Sequence, residues 1–226
     1  MREPLARIAR DVVGCRRCPR LVAWREASAA NPPRRFRGEP YWARPLPAFG
    51  DPEARVLLVG LAPAAHGGNR TGRIFTGDAS GDFLFAALHA AGFANQARSV
   101  SRDDGLALSG ALVTAAARCA PPGNRPLPSE FERCRPYLVR EIAALPALRV
   151  VVALGGLAFD RTLQAFRSAG LEIPPPRPRF AHGSEARIGP YTLLGAYHPS
   201  QQNTFTGRLT RPMLERVLRR ARALSR

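Results

Sequence analysis

The sequence predicts an α/β protein: a three-layer α/β/α fold with a central four-stranded parallel sheet. Two observations carry this. Four short, nearly continuous apolar runs read as strands buried on both faces. Segments with helical spacing lie between and after them, and strands alternating with helices argue for parallel pairing. The chain's 226 residues suit one ordinary domain, taken as 1–226.

The first strand is Arg55–Leu61, followed by a helix at Ser80–Ala91. The second is Ala111–Ala116. After it comes a helix at Ser129–Leu145, opened by a capping box of Ser129 and Glu132 and striped by Phe131, Cys134, Leu138 and Ile142. Arg149–Leu154 is the third strand and Gly156–Ala169 its helix. Tyr191–Tyr197 is the fourth, and Leu209, Met213, Val217, Ala221 and Leu224 stripe a last helix over Leu209–Leu224. Arg34–Pro47 and Pro174–Arg179, rich in Pro and Arg, read as surface loops. Sites in open sheets lie beyond the carboxyl ends of the strands. The turns after Leu61, Ala117, Leu154 and Tyr197 are therefore expected to meet.

Charge narrows the chemistry. The 34 basic and 17 acidic residues give +17, which suits a polyanionic partner such as nucleic acid. Every basic residue is arginine, so a coding bias explains the excess equally well. The absence of lysine excludes a lysine Schiff base and a P-loop lysine. No apolar run reaches the roughly 18 residues that span a bilayer, and Met1–Val12 holds no apolar leader. A soluble, cytoplasmic monomer with no membrane partner is expected.

Cys15 and Cys18 form C-x-x-C, and Cys119 and Cys134 are separated by a 14-residue gap. Four soft thiolates suit zinc or an iron–sulfur cluster, and spacing does not separate the two. Cys134 on the apolar helix stripe also fits plain core burial. After the first strand, a Gly-rich turn runs from Gly60 to Arg73, then Phe75-Thr76-Gly77-Asp78 enters a helix. Asp78 at a helix start is a cap or a functional carboxylate. His198 ends the last strand beside a long polar loop, Pro199–Gly207, an arrangement that favours binding.

Together these segments resemble the uracil-DNA glycosylase superfamily, in particular its family 5. The matching pieces run in family order: Cys15-x-x-Cys18-Pro19, Arg37-Gly38-Glu39-Pro40-Tyr41-Trp42, Gly60–Gly67, Phe75–Gly81, Arg118-Cys119-Ala120-Pro121-Pro122 and His198–Asn203. The resemblance implies a [4Fe–4S] cluster on Cys15, Cys18, Cys119 and Cys134. It implies monofunctional excision of uracil from single- or double-stranded DNA in base excision repair. It also implies roles by position. Phe75 stacks the flipped base, Asn124 reads its edge, His198 faces the pyrimidine O2, and Asp78 acts in catalysis. Gly60, Ala62 and Ala64 belong to the base pocket. Ser200, Gln201, Gln202, Asn203 and Arg208 belong to the segment that enters the minor groove. Ala62 and Ala115 stand where other branches carry Asp and Asn, and Ala64 where strict uracil enzymes carry Tyr. These small residues predict activity on further bases. The alternatives are a non-catalytic iron–sulfur nucleic-acid-binding protein and a hydrolase of free nucleotides.

Overall fold

A computed structural model describes residues 3–226. Met1 and Arg2, the start of the stretch Met1–Val12 in which no leader is expected, lie outside the described residues. In chain order the strands are β1 (Phe49–Gly50), β2 (Val56–Gly60), β3 (Ala111–Ala115), β4 (Val150–Leu154), β5 (Glu185–Ile188) and β6 (Tyr191–Ala196). The helices are α1 (Glu3–Val13), α2 (Pro19–Ala30), α3 (Gly68–Thr71), α4 (Ala79–Ala90), α5 (Pro128–Ala143), α6 (Gly156–Ser168), α7 (Gln201–Phe205) and α8 (Arg211–Leu224).

The four expected strands, β2, β3, β4 and β6, are all present, and they pair in parallel. The expectation of a four-stranded sheet is corrected at its edges. Among the described residues the sheet has six strands, ordered β1-β3-β2-β4-β6-β5, and both edge strands are antiparallel. Neither edge strand has an apolar run to betray it. β1 has two residues, and β5 alternates exposed Glu185 and Arg187 with Ala186 and buried Ile188.

Alternation along the strands builds two cores. Val56, Leu58, Val150 and Val152 pack with Leu84, Phe85 and Leu88 of α4 and Leu214, Val217 and Leu218 of α8. Leu57, Val59, Val151 and Ala153 face the other way, onto α1, α5 and α6 through Ile8, Val12, Leu138, Phe159 and Phe166. The three-layer reading is therefore correct. Among the described residues no helix is long and apolar enough to cross a membrane.

The capping box of α5 is shifted from its expected place. The backbone N–H of Leu127 donates to Glu130 Oε2 at 2.7 Å, whereas Glu132 pairs with Arg135 one turn on. The Pro199–Gly207 loop also differs from expectation, since its middle winds into α7. α1 and α2 dock the N-terminus onto α5. Arg140 pairs with Asp11 at 2.6 Å, and the Arg20 fork holds Glu130 with two bonds of 2.8 Å.

β2 leads to β3 on one side, and the chain then crosses back to β4 on the other. The switch point therefore lies at the carboxyl end of β2. Just beyond β3 a buried ion pair fixes the second turn. Arg118 Nη2 donates to Glu141 Oε2 at 2.6 Å, and Thr114 Oγ1 donates to the same oxygen at 2.8 Å. Both charged side chains are at most 2% exposed. Removing one partner leaves the other charge buried and unpaired, so Glu141→Leu should cost about 3–5 kcal/mol in urea unfolding of the purified protein. Adding Arg118→Met should recover most of that loss. A single-variant cost below about 1 kcal/mol would show the pair to be solvated.

Candidate active site

The turn after β2 is shaped by two close approaches. The Phe75 ring rests on Gly60, where a Cβ would come within 2.6 Å of it. Phe75 holds this pose with φ of 51°, an uncommon conformation for a bulky residue. Asp78 Oδ2 lies against Gly67, only 2.0 Å from where a Cβ would stand. Neither glycine can be replaced without moving the residue packed on it.

Asp78 is the N-cap of α4, and its Oδ1 accepts the Gly81 N–H at 3.0 Å. The capping reading is thus correct for one oxygen. The other oxygen faces Gly67, in a cavity of about 770 Å³ lined also by Ala64, His66, Asn124, Ser200, Gln201 and Gln202. Burial pushes the Asp78 carboxyl up, opposed by the Gly81 and Ser80 N–H groups and by Arg70. Asn124 follows Gly123 in a short 3-10 turn and holds φ of 56°, a left-handed pose Asn tolerates.

His198 opens onto a neighbouring cavity of about 250 Å³ with Leu61, Gly155, Gly156, Tyr197, Asn203 and Arg208. Its ring lies 5.8 Å from that of Phe75, tilted by 36°. Burial pushes His198 down to about 4, so the imidazole is neutral at physiological pH. The turns after all four parallel strands contribute to these adjoining cavities, as expected.

Several candidate residues are placed otherwise than as free contacts. Asn203 Nδ2 donates to the His198 carbonyl at 2.8 Å, so its amide braces the strand end. Ala62 packs on Ala116, Ala117 and Phe131 and lines neither cavity. Phe75 is 9% exposed, which leaves little ring face open beside Gly60 and His198. Arg208 stacks over Tyr197 at 4.8 Å and is exposed.

The structure adds His66, Tyr41, Phe36 and Trp24, to which the sequence alone gives no role, and sets Arg35 beside them. His66 Nδ1 and the Tyr41 hydroxyl share a hydrogen bond of 2.9 Å. Burial and the cations Arg35 and Arg70 push this histidine down as well. Arg35, Phe36 and Trp24 line the larger cavity with it. Tyr41 lies in the motif from Arg37 to Trp42 and His66 in that from Gly60 to Gly67, but neither motif says which side chains turn inward.

The four cysteines converge from the end of α1, the cap of α2, the β3 turn and α5, and all are free thiols. Cys18 and Cys119 share one buried cluster with Leu21. Burial pushes Cys119 up to about 12 despite Arg25, whose Nη1 donates to its sulfur at 3.1 Å. Cys134 is raised by burial too, and its sulfur accepts a backbone N–H from Arg118. Cys15 and Cys134 act on Cys119, and Cys15 and Cys18 on Cys134, so all four lie within electrostatic reach. Among the described residues, however, no three His, Cys, Asp or Glu side chains close tightly enough to hold a single metal ion.

Residues 47–222 match the family model described as "Uracil DNA glycosylase superfamily". The chain is 52% identical to the type-5 uracil-DNA glycosylase of Thermus thermophilus over 215 residues, 95% of each chain. It is 51% identical to the type-5 enzyme of Mycobacterium tuberculosis over 213 residues, 93% of this chain and 78% of that one. The type-5 enzyme of Pyrobaculum aerophilum is 47% identical over 212 residues, 94% and 89% of the two chains. The strand-end cavities and these alignments give one answer: the chain belongs to the uracil-DNA glycosylase superfamily and, within it, groups with the type-5 enzymes.

Proposed function

We propose that this protein is a monofunctional DNA glycosylase that hydrolyses the N-glycosidic bond of uracil, and of some other altered bases, in DNA. What supports the reading is the pairing of Phe75 with a neutral His198 at the ends of parallel strands, their ring centroids 5.8 Å apart, with Asp78 three residues beyond Phe75 in the wall of a neighbouring cavity. A nucleic-acid-binding protein without catalysis has no need of that trio, and the relatives are named as uracil-DNA glycosylases.

The base leaves its stack at a cost of a few kcal/mol. Arg35 at the cavity and its exposed neighbours Arg34 and Arg37 suit the phosphates that flank the extruded nucleotide. The base is received against Phe75, and the tilted His198 ring must yield for a base to stack there, since the two centroids are 5.8 Å apart. Asn124 meets the base edge. As the bond between base and sugar breaks, negative charge gathers on the base and positive charge on C1′. Neutral His198 donates a hydrogen bond to O2 and stabilises the departing anion. Asp78 Oδ2, which faces Gly67, offsets the sugar cation or orients the water that attacks C1′. Water supplies the hydroxyl of the abasic sugar, and the base takes up a proton. The chain offers no lysine to trap the sugar.

The cysteines fit a [4Fe–4S] cluster better than zinc. A zinc site, with bonds of about 2.3 Å, needs thiolates about 3.8 Å apart. Among the described residues no three such side chains form a single-ion site, whereas four soft thiolates converging from separate elements suit a cluster. Such a cluster supplies a cross-link between the N-terminal helices, the β3 turn and α5. Anaerobically purified protein should contain iron and acid-labile sulfide, and zinc without sulfide would exclude it.

Asp78→Asn should slow single-turnover excision more than about tenfold with DNA affinity retained, since transition-state charge is worth a few kcal/mol. Loss of melting temperature alone would leave Asp78 as a cap. Acidification should extinguish activity as Asp78 gains its proton, above the usual carboxylate range because burial raises it. His198, already neutral, adds no second fall until about pH 4. An acid limb near the ordinary histidine range that vanishes in His198→Gln would reverse this assignment.

The cavity wall at Ala64 bears on breadth. One methyl in an apolar pocket is worth only about 1–3 kcal/mol of discrimination. Wild type should therefore process hypoxanthine, 5-hydroxymethyluracil or thymine opposite guanine more slowly than uracil, and Ala64→Tyr should narrow it to uracil. Strict uracil specificity in the wild type would refute the open pocket.

A further inference from the structure

Arg25 lies on α2 with 2% of its surface exposed, among the cysteines. Its Nη1 donates to Cys119 Sγ at 3.1 Å and to the Cys15 carbonyl at 3.4 Å, while its Nε finds no partner. The adjacent carboxylate, Glu26, is taken by Arg16 at 2.7 Å. Arg118, the other buried guanidinium here, has Glu141. Arg25 is thus a buried cation whose one side-chain hydrogen-bond partner is a cysteine sulfur, with only longer-range attraction from Glu26, and an incompletely compensated charge at such depth is costly. Its backbone reaches a different place. The Arg25 carbonyl accepts from Asn69 Nδ2 at 3.1 Å. The same amide nitrogen donates to the Ala65 carbonyl at 3.3 Å, and the Asn69 backbone N–H donates to the Ala64 carbonyl at 3.1 Å. Asn69 is 1% exposed, and Ala64 and Ala65 line the cavity that holds Asp78.

We infer that Arg25 is a positioning residue that serves as the counter-cation of the thiolate-bound cluster and, through Asn69, ties that cluster to the Ala64–Gly67 wall of the active site. The inference rests on the cluster reading under Proposed function. Its guanidinium stabilises the negative charge of the cluster and its ligands, most strongly in the more reduced state. Its carbonyl holds Asn69, which in turn anchors the Ala64 and Ala65 carbonyls and so the loop that lines the pocket.

The test compares the anaerobically purified holo-protein with Arg25→Gln, Arg25→Lys and Asn69→Ala. Reduction potential follows local charge and hydrogen bonds to the sulfurs. Arg25→Gln should shift the cluster couple to lower potential in film voltammetry and hasten iron release to a chelator by about tenfold, the scale on which outer-shell partners support a metal site. Arg25→Lys, which keeps the charge, should recover much of both. Asn69→Ala should leave iron content, visible absorption and potential unchanged, yet slow single-turnover excision about tenfold. Arg25→Gln matching wild type in both potential and iron release would overturn the counter-cation role. Undiminished excision by Asn69→Ala would overturn the tie to the pocket, and that variant needs no change at the cysteines. A wild type without iron or sulfide would instead refute the cluster reading beneath the inference.

Discussion

Asp78 Oδ2 sits almost where a side chain on Gly67 would begin, and the Phe75 ring rests directly on Gly60. These approaches hold the segment from 60 to 81 as one folded-back unit over the end of β2. Phe75 takes a left-handed backbone pose to fit it, a strain that its neighbours must hold in place. The entry to α4, the orientation of Asp78 and the floor under His198 all follow from that packing. A methyl at either glycine would separate the carboxylate from the cavity or lift the aromatic off the strand. The chemistry of the site therefore begins with two absent Cβ atoms rather than with any charged group.

The same economy governs the electrostatics. Burial makes charge costly, so it moves Asp78 and His198 in opposite directions along the pH scale, each towards its neutral form. The histidine loses its proton and is left with one ring N–H to donate. For the carboxyl, backbone N–H groups at the head of α4 and the cation Arg70 oppose the rise that burial causes and favour the charged form. The helix that Asp78 caps is thus also what sustains the anion.

Much of this is legible in the sequence. The four parallel strands appear as apolar runs because both of their faces are covered, and each run matches its strand to within a residue or so. The edge strands are not legible, since β5 is half charged and β1 too short to carry a pattern. α1 does carry a stripe, Leu5, Ile8 and Val12, but it is too short and too broken by arginines to stand out before its packing is known. At the site, motif order points to Asp78, Asn124 and His198. It does not reveal that Asn203 braces the strand end, or that Tyr41 holds His66, because one bond lies within a loop of unspecified path and the other spans distant segments.

The edge strands have a consequence of their own. An open sheet offers unpaired N–H and C=O groups along its margins, a template on which another molecule's strand can grow. Here one margin ends in two residues, and the other carries the exposed charges of Glu185 and Arg187, the former held by Arg220 of α8 at 2.7 Å. Neither margin presents a long, flat, apolar ribbon. Copies gathered at high local density along one polymer can therefore lie flank to flank without their sheets fusing into fibres.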